Sequence, residues 1–146
     1  MKAKTIDRDL GYKKFAAAAR ANKGRVSIEV GWFVDAVAEY VGANEFGTDT
    51  IPSRPFIRQT FDANRAKYLK MIQAAGLRVG PGLKPTDALM PVANEMRNDY
   101  ILAIQSGKFK PNAPSTVDKK GYNAPLVDSG QMQRALNIRI TAGGTQ

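Results

Sequence analysis

The sequence predicts an α+β domain: a small antiparallel sheet packed by an N-terminal helix and two long helices, with extended Pro-rich loops. Three observations point there. Val26, Ile28, Val30 and Trp32 alternate with polar or small residues, as do Leu136, Ile138 and Ile140, which marks two half-buried strands far apart in the chain. Ile57, Phe61, Tyr68, Ile72 and Ala75 recur at helical spacing, and so do Leu89, Val92, Met96, Tyr100, Ala103 and Ile104. Prolines and glycines gather mainly between these runs.

Each element has its own justification. Residues 6–21 read as an amphipathic helix, with Tyr12, Phe15, Ala16 and Ala19 on one stripe, acids at its start and Gly24 beyond its end. The first strand follows. Asp35 then caps a short helix through Val37, Tyr40 and Val41 to about Asn44. Residues 47–55 form a loop in which Pro52 and Pro55 force extended backbone on Ile51 and Arg54. The first long helix breaks at Gly76, Gly80, Pro81, Gly82 and Pro85. Thr86 caps the second, in which Pro91 is tolerable only near the start. Residues 106–127 show no period and read as a structureless loop, a length that is often functional. Asp128 and Gln131 form a capping box for a helical turn through Met132. The last strand sets Arg139 opposite Glu29, and residues from about 142 are expected to be loose. Residues 1–146 are expected to make one domain, since about 150 residues bury enough surface to need no staple.

Composition excludes much chemistry. With no His and no Cys among 146 residues, zinc, iron–sulfur and c-type haem sites of the usual kinds are excluded, as are Ser–His–Asp and Cys–His nucleophiles. No cofactor or metal is expected. Nothing approaches a membrane span, and the N-terminus lacks the apolar core of a signal peptide, so cytoplasmic synthesis and no membrane partner are expected. The net charge of +9 is segregated: residues 1–25 carry +6, residues 26–53 carry −5 and residues 54–84 carry +6. A nucleic-acid binder concentrates its charge on one face. Alternating blocks suit surfaces that pair with other copies of the same chain.

Several motifs have a bland reading that outweighs the chemical one. Leu126-Val127-Asp128-Ser129-Gly130 matches the catalytic loop of aspartic proteases, but only sixteen residues follow it, too few for a flap and supporting strands. A helix cap is the better reading. Gly76–Gly82 lacks the Gly-Lys-Ser/Thr ending and strand-to-helix context of a phosphate loop. Glu95 and Asp99, four apart, read as a solvated helix face. Arg54, Arg58 and Arg65, extended by Lys67 and Lys70, form a basic patch able to meet phosphate, while Phe56, Phe61 and Tyr68 fit the core.

Taken in order, Glu45-Phe46-Gly47, Ile51-Pro52-Ser53-Arg54-Pro55-Phe56, Pro114-Ser115-Thr116, Lys120-Gly121 and Pro125-Leu126-Val127-Asp128-Ser129-Gly130 resemble the tail-completion or neck proteins of tailed bacteriophages, also called head–tail joining or virion morphogenesis proteins. The resemblance covers roughly residues 25–140. It implies a non-enzymatic structural protein of the virion, assembled in the host cytoplasm as a homo-oligomeric ring, sixfold in preference to twelvefold. Its implied partners are a head-side connector or stopper protein, a tail terminator or tail tube protein, and double-stranded DNA passing non-specifically. The alternative is a basic, non-specific DNA-binding phage protein. On the neck reading, Glu45, Phe46, Pro52, Arg54, Pro55, Phe56 and Arg58 serve assembly: the prolines stiffen the loop, Phe46 and Phe56 anchor it, and Arg54 pairs with a carboxylate such as Glu45 or Asp49, in the same chain or the next. Lys108, Lys110, Lys119 and Lys120 lie on a Pro-rich segment, 108–127, able to reach a neighbouring ring as an arm.

Overall fold

A computed structural model describes residues 26–79, 83–127 and 129–142. The expected N-terminal helix, the Gly80–Gly82 break and Asp128 lie outside the described residues. The elements run β1 (Val26–Trp32), α1 (Asp35–Phe46), α2 (Phe56–Arg78), α3 (Pro85–Gln105), α4 (Pro114–Lys120), α5 (Gln131–Ala135) and β2 (Leu136–Ala142). The fold is α+β with a small sheet, as expected.

The strands pair antiparallel, with Ile28 opposite Ile140, Val30 opposite Ile138 and Trp32 opposite Leu136. Period-two alternation puts these apolar pairs on one face, and α3 packs against both strands. Glu29 does face Arg139, although the Arg139 guanidinium lies over the Phe33 ring at 3.8 Å. α2 packs along α3, burying Tyr68 and Ala75 from one helix and Ala88, Val92, Ala93 and Tyr100 from the other. Phe61 and Ile72 depart from the expected stripe and stay partly in solvent, 39% and 42% exposed.

The core gathers where α1, the start of α2 and the end of α3 converge with the chain before β2. Val37, Val41, Phe56, Ile104, Leu126 and Met132 are buried together. Phe56 is fully buried, with Trp32 and Phe109 edge-on to its ring at 5.8 and 6.2 Å. Burying such a side chain contributes about 2–3 kcal/mol, so Phe56 is a principal anchor. The Trp32 indole donates to the Met132 carbonyl at 2.7 Å, tying β1 to α5.

Helix ends depart from the sequence reading at four points. Val34, not Asp35, is the N-cap of α1, and Asp35 sits in the first turn, where its charge suits the helix dipole. α3 begins before Thr86, with Lys84 as N-cap and Pro85 at its first position. Pro91 is therefore well inside α3 and removes one helical donor, leaving the Asp87 carbonyl unpaired within the helix. Both residues are exposed, so solvent can take that carbonyl. Residues 106–127 are not structureless: α4 starts on Pro114 and stops at Gly121, which adopts φ 76°. The last short helix starts later than the expected box at Asp128 and Gln131 has it, and the Asp128 half of that box lies outside the described residues. Gly130, at φ 74°, is the N-cap of α5 without a side-chain bond, and Gln131 is simply its first residue.

Candidate functional site

The Glu45-Phe46-Gly47 and Pro52–Phe56 motifs form one unit joining the end of α1 to the start of α2. Arg54 N–H donates to the Asn44 carbonyl at 2.7 Å, and the Ser53 hydroxyl donates to the Glu45 carbonyl at 2.9 Å. The chain must double back tightly, and Gly47 permits it. Its φ is 82° and ψ 166°, a region kept essentially to glycine, and a Cβ there would sit 2.9 Å from the Ser53 nitrogen.

Glu45, 2% exposed, works on the helix that follows. Its carboxylate accepts from the Ile57 and Arg58 backbone N–H groups at 2.9 and 3.1 Å, and from Arg58 Nε at 2.9 Å. Those amides are orphan donors of the first turn of α2, whose N-cap, Pro55, has no side chain able to cap. A carboxylate eleven residues upstream of the helix supplies the cap and complements its dipole.

Arg54 does not pair with Glu45 or Asp49 of its own chain. It is buried, 5% exposed, and Nε donates to the Lys110 carbonyl at 2.8 Å. Nη1 donates to Asn44 Oδ1 at 2.7 Å, and Nη2 donates to the Pro111 carbonyl at 3.0 Å and Asn112 Oδ1 at 3.3 Å. Glu45 is already committed to α2, and a rigid guanidinium fork fits the carbonyls of the incoming Pro-rich segment. Burial lowers the guanidinium pKa from its ordinary value. Arg54 thus staples residues 110–112 to the α1–α2 corner.

The remaining expected site residues divide. Phe56 is core, as anticipated. Phe46 does not anchor the loop: it is 70% exposed, with the Arg58 guanidinium 5.0 Å from its ring centre. Pro52 and Pro55 are half-buried. Lys108, Lys110 and Lys119 are exposed, whereas Lys120 donates to the Val127 carbonyl at 2.9 Å. Both ends of the 108–127 segment are held, at Phe109 and Arg54 on one side and at buried Leu126 on the other, which confines any outward arm to the stretch around α4.

Glu95 and Asp99 are not a solvated face. Lys67 Nζ donates to Glu95 at 2.9 Å and to Asp99 at 2.6 Å, and the Tyr68 hydroxyl donates to the same Asp99 oxygen at 2.7 Å. Burial first, then the Asp99 bond, pushes the Tyr68 phenol well above its usual range. Desolvation opposes charge on Lys67, but the hydrogen bonds to Asp99 and Glu95 prevail and raise its pKa. The spacing of the two acids, four apart on one helix, is visible in the sequence, but the Lys67 and Tyr68 that meet them come from the helix packed against it.

Among the described residues, no group of three or more His, Cys, Asp or Glu is placed to hold a metal ion, and no helix is long and apolar enough to cross a membrane. No protein-family model, curated protein or solved structure matches the chain. The likeness to phage neck proteins therefore stands on the ordered motifs alone.

Proposed function

We propose that the chain is a structural subunit of the phage head–tail neck, acting by assembly into a homo-oligomeric ring through which double-stranded DNA passes. The observation that carries this is a stripe along α2. Arg58, Phe61, Arg65, Leu69 and Ile72 recur at one-face spacing and are all exposed, with Leu69 51% in solvent, and Phe46 extends the stripe past Arg58. Several large apolar side chains exposed along one helix face, rimmed by charge, mark an interaction surface. On α1, Asp35, Glu39 and Tyr40 are exposed beside Val34, which gives an acidic and apolar surface of matching character. Unlike surfaces that complement one another make head-to-tail contacts, and such contacts form a ring when the rotation between neighbours closes.

The DNA-binding alternative is weaker on the same grounds. Arg58 and Lys67, two cations of its basic patch, are engaged by Glu45, Glu95 and Asp99, and Arg54 faces inward. Sedimentation velocity with negative-stain imaging tests the ring. The expected result is a closed ring of identical subunits for the native chain and dissociation for Leu69→Asp. A native chain that stays monomeric at high concentration and is absent from purified particles would refute the proposal.

A further inference from the structure

We infer that the cavity between α1, the 48–54 loop and α4 is a binding site for one phosphate-class oxyanion. The cavity holds about 260 Å3 and is lined by Tyr40, Thr50, Arg54, Asn112, Thr116 and Lys120, among others. A water molecule occupies about 30 Å3 of the liquid, so a tetrahedral oxyanion fits with several waters.

The charge balance of Arg54 comes first. All four of its acceptors are neutral: the carbonyls of Lys110 and Pro111 and the amide oxygens of Asn44 and Asn112. Buried charges are ordinarily paired with an opposite charge, and among the described residues no carboxylate forms an ion pair with Arg54. The guanidinium has five N–H groups, and four bonds leave one hydrogen on Nη1. Burial lowers its pKa, as expected of a desolvated cation short of a counter-charge.

Asn112 adds an independent observation. Its Oδ1 is held by Arg54, which fixes the amide orientation, and its Nδ2 is buried with no hydrogen-bond partner. Buried amide donors are nearly always satisfied, so an unsatisfied one on a residue that lines the cavity calls for an acceptor. Lys120 spends one of its three hydrogens on the Val127 carbonyl and keeps two. Thr50 and Thr116 bring hydroxyls, and among the described residues no carboxylate lines the cavity to repel an anion. Guanidinium, amide, ammonium and hydroxyl donors are more than the two oxygens of a carboxylate accommodate. A phosphate group, with three or four oxygens, matches them.

The test is a titration of the full-length, 15N-labelled protein with inorganic phosphate at ionic strength held constant with chloride. The Arg54 Nε–H and Asn112 Nδ2–H2 resonances are expected to shift saturably. Lys120→Met should weaken binding about tenfold by removing a charge-assisted donor. Because Lys120 also holds Val127, Thr116→Val serves as a second variant and should weaken it about threefold by removing one neutral donor. A short DNA duplex titrated separately identifies the source. Shifts with both ligands assign a backbone phosphodiester, and shifts with inorganic phosphate alone assign a free anion. Shifts that rise without saturating, affinities unchanged in both variants, or acetate binding as tightly as phosphate would overturn the inference.

Discussion

Removing the Glu45 carboxylate should cost far more than a surface acid normally does. In Glu45→Ala, α2 loses the acceptors for two first-turn amides, and each lost cap costs about 1 kcal/mol. The emptied site is 2% exposed, and the deleted side-chain atoms add about 1 kcal/mol through lost packing. The ion pair with Arg58 adds only about 0.5 kcal/mol, because the arginine side chain is 57% exposed and solvent screens it. The total is about 3–4 kcal/mol, a large share of the ordinary 5–15 kcal/mol of a domain. In a chain of this size that is a fall in Tm of about 6–16 °C. Glu45→Gln keeps one acceptor oxygen but turns an NH2 group toward the other amide, so about half the loss should remain. Urea or thermal unfolding, followed by far-UV circular dichroism, measures all of this. Arg58→Met is the decisive comparison, since it removes the ion pair and leaves the cap. If Arg58→Met destabilises as much as Glu45→Gln, or if Glu45→Gln is neutral within about 0.5 kcal/mol, the capping account is wrong.

Other substitutions probe the same corner and the helix pair. Arg54→Lys keeps the charge but cannot span acceptors on Asn44, Lys110 and Pro111, and should cost about 2–3 kcal/mol by urea unfolding. Gly47→Ala forces a Cβ within 2.9 Å of the Ser53 nitrogen at a glycine-only φ/ψ, so a loss of about 1–3 kcal/mol is expected, and an unchanged Tm would contradict it. Tyr68 and Lys67 both hold their protons more tightly when folded than when unfolded. The stabilisation is therefore fully present below the unfolded phenol and ammonium pKa values, near 10, and declines as the pH rises above them, because the unfolded chain then binds fewer protons. Tm measured from about pH 9 to 11.5 should fall in the native chain and fall less steeply in Tyr68→Phe; equal slopes would count against the Asp99 tie.

How far these features can be read from sequence depends on how local their causes are. The strands, their facing and the Glu29–Arg139 register follow from period two, and both long helices follow from their apolar spacing. The α2 cap could not be read that way. Its acceptor comes from Glu45 at the end of another helix, and nothing beside Pro55 marks it. Arg54 chose backbone carbonyls 56 and 57 residues away, which have no side-chain signature at all. α4 is a different failure, because Pro114 at its start and Gly121 at its end are ordinary helix punctuation. Seen only as breakers, they hid a helix whose own seven residues are too few to show a period. Asp99 was misplaced because exposure depends on the opposing helix, and only packing brings Lys67 and Tyr68 to it.

The fate of the basic block 54–84 bears on function more than its net charge does. Seven cations in sequence do not make a surface of seven. Arg54 points inward, while Arg58 and Lys67 are taken up by acids of the same chain. Arg65, Lys70, Arg78 and Lys84 remain exposed, and Arg65 shares its helix face with Leu69 and Ile72. Phosphate-tracking grooves pair cations with aromatic platforms, and here Arg65 has exposed Phe61 on one side but aliphatic Leu69 and Ile72 on the other. Such a face gains more from covering apolar surface than from neutralising a polyanion, and an exposed acidic surface such as that of α1 supplies the matching charge. On the proposed reading the block is one side of a protein–protein contact and not a track for DNA, and the buried Arg54 forms a separate centre of positive charge whose described acceptors are all neutral.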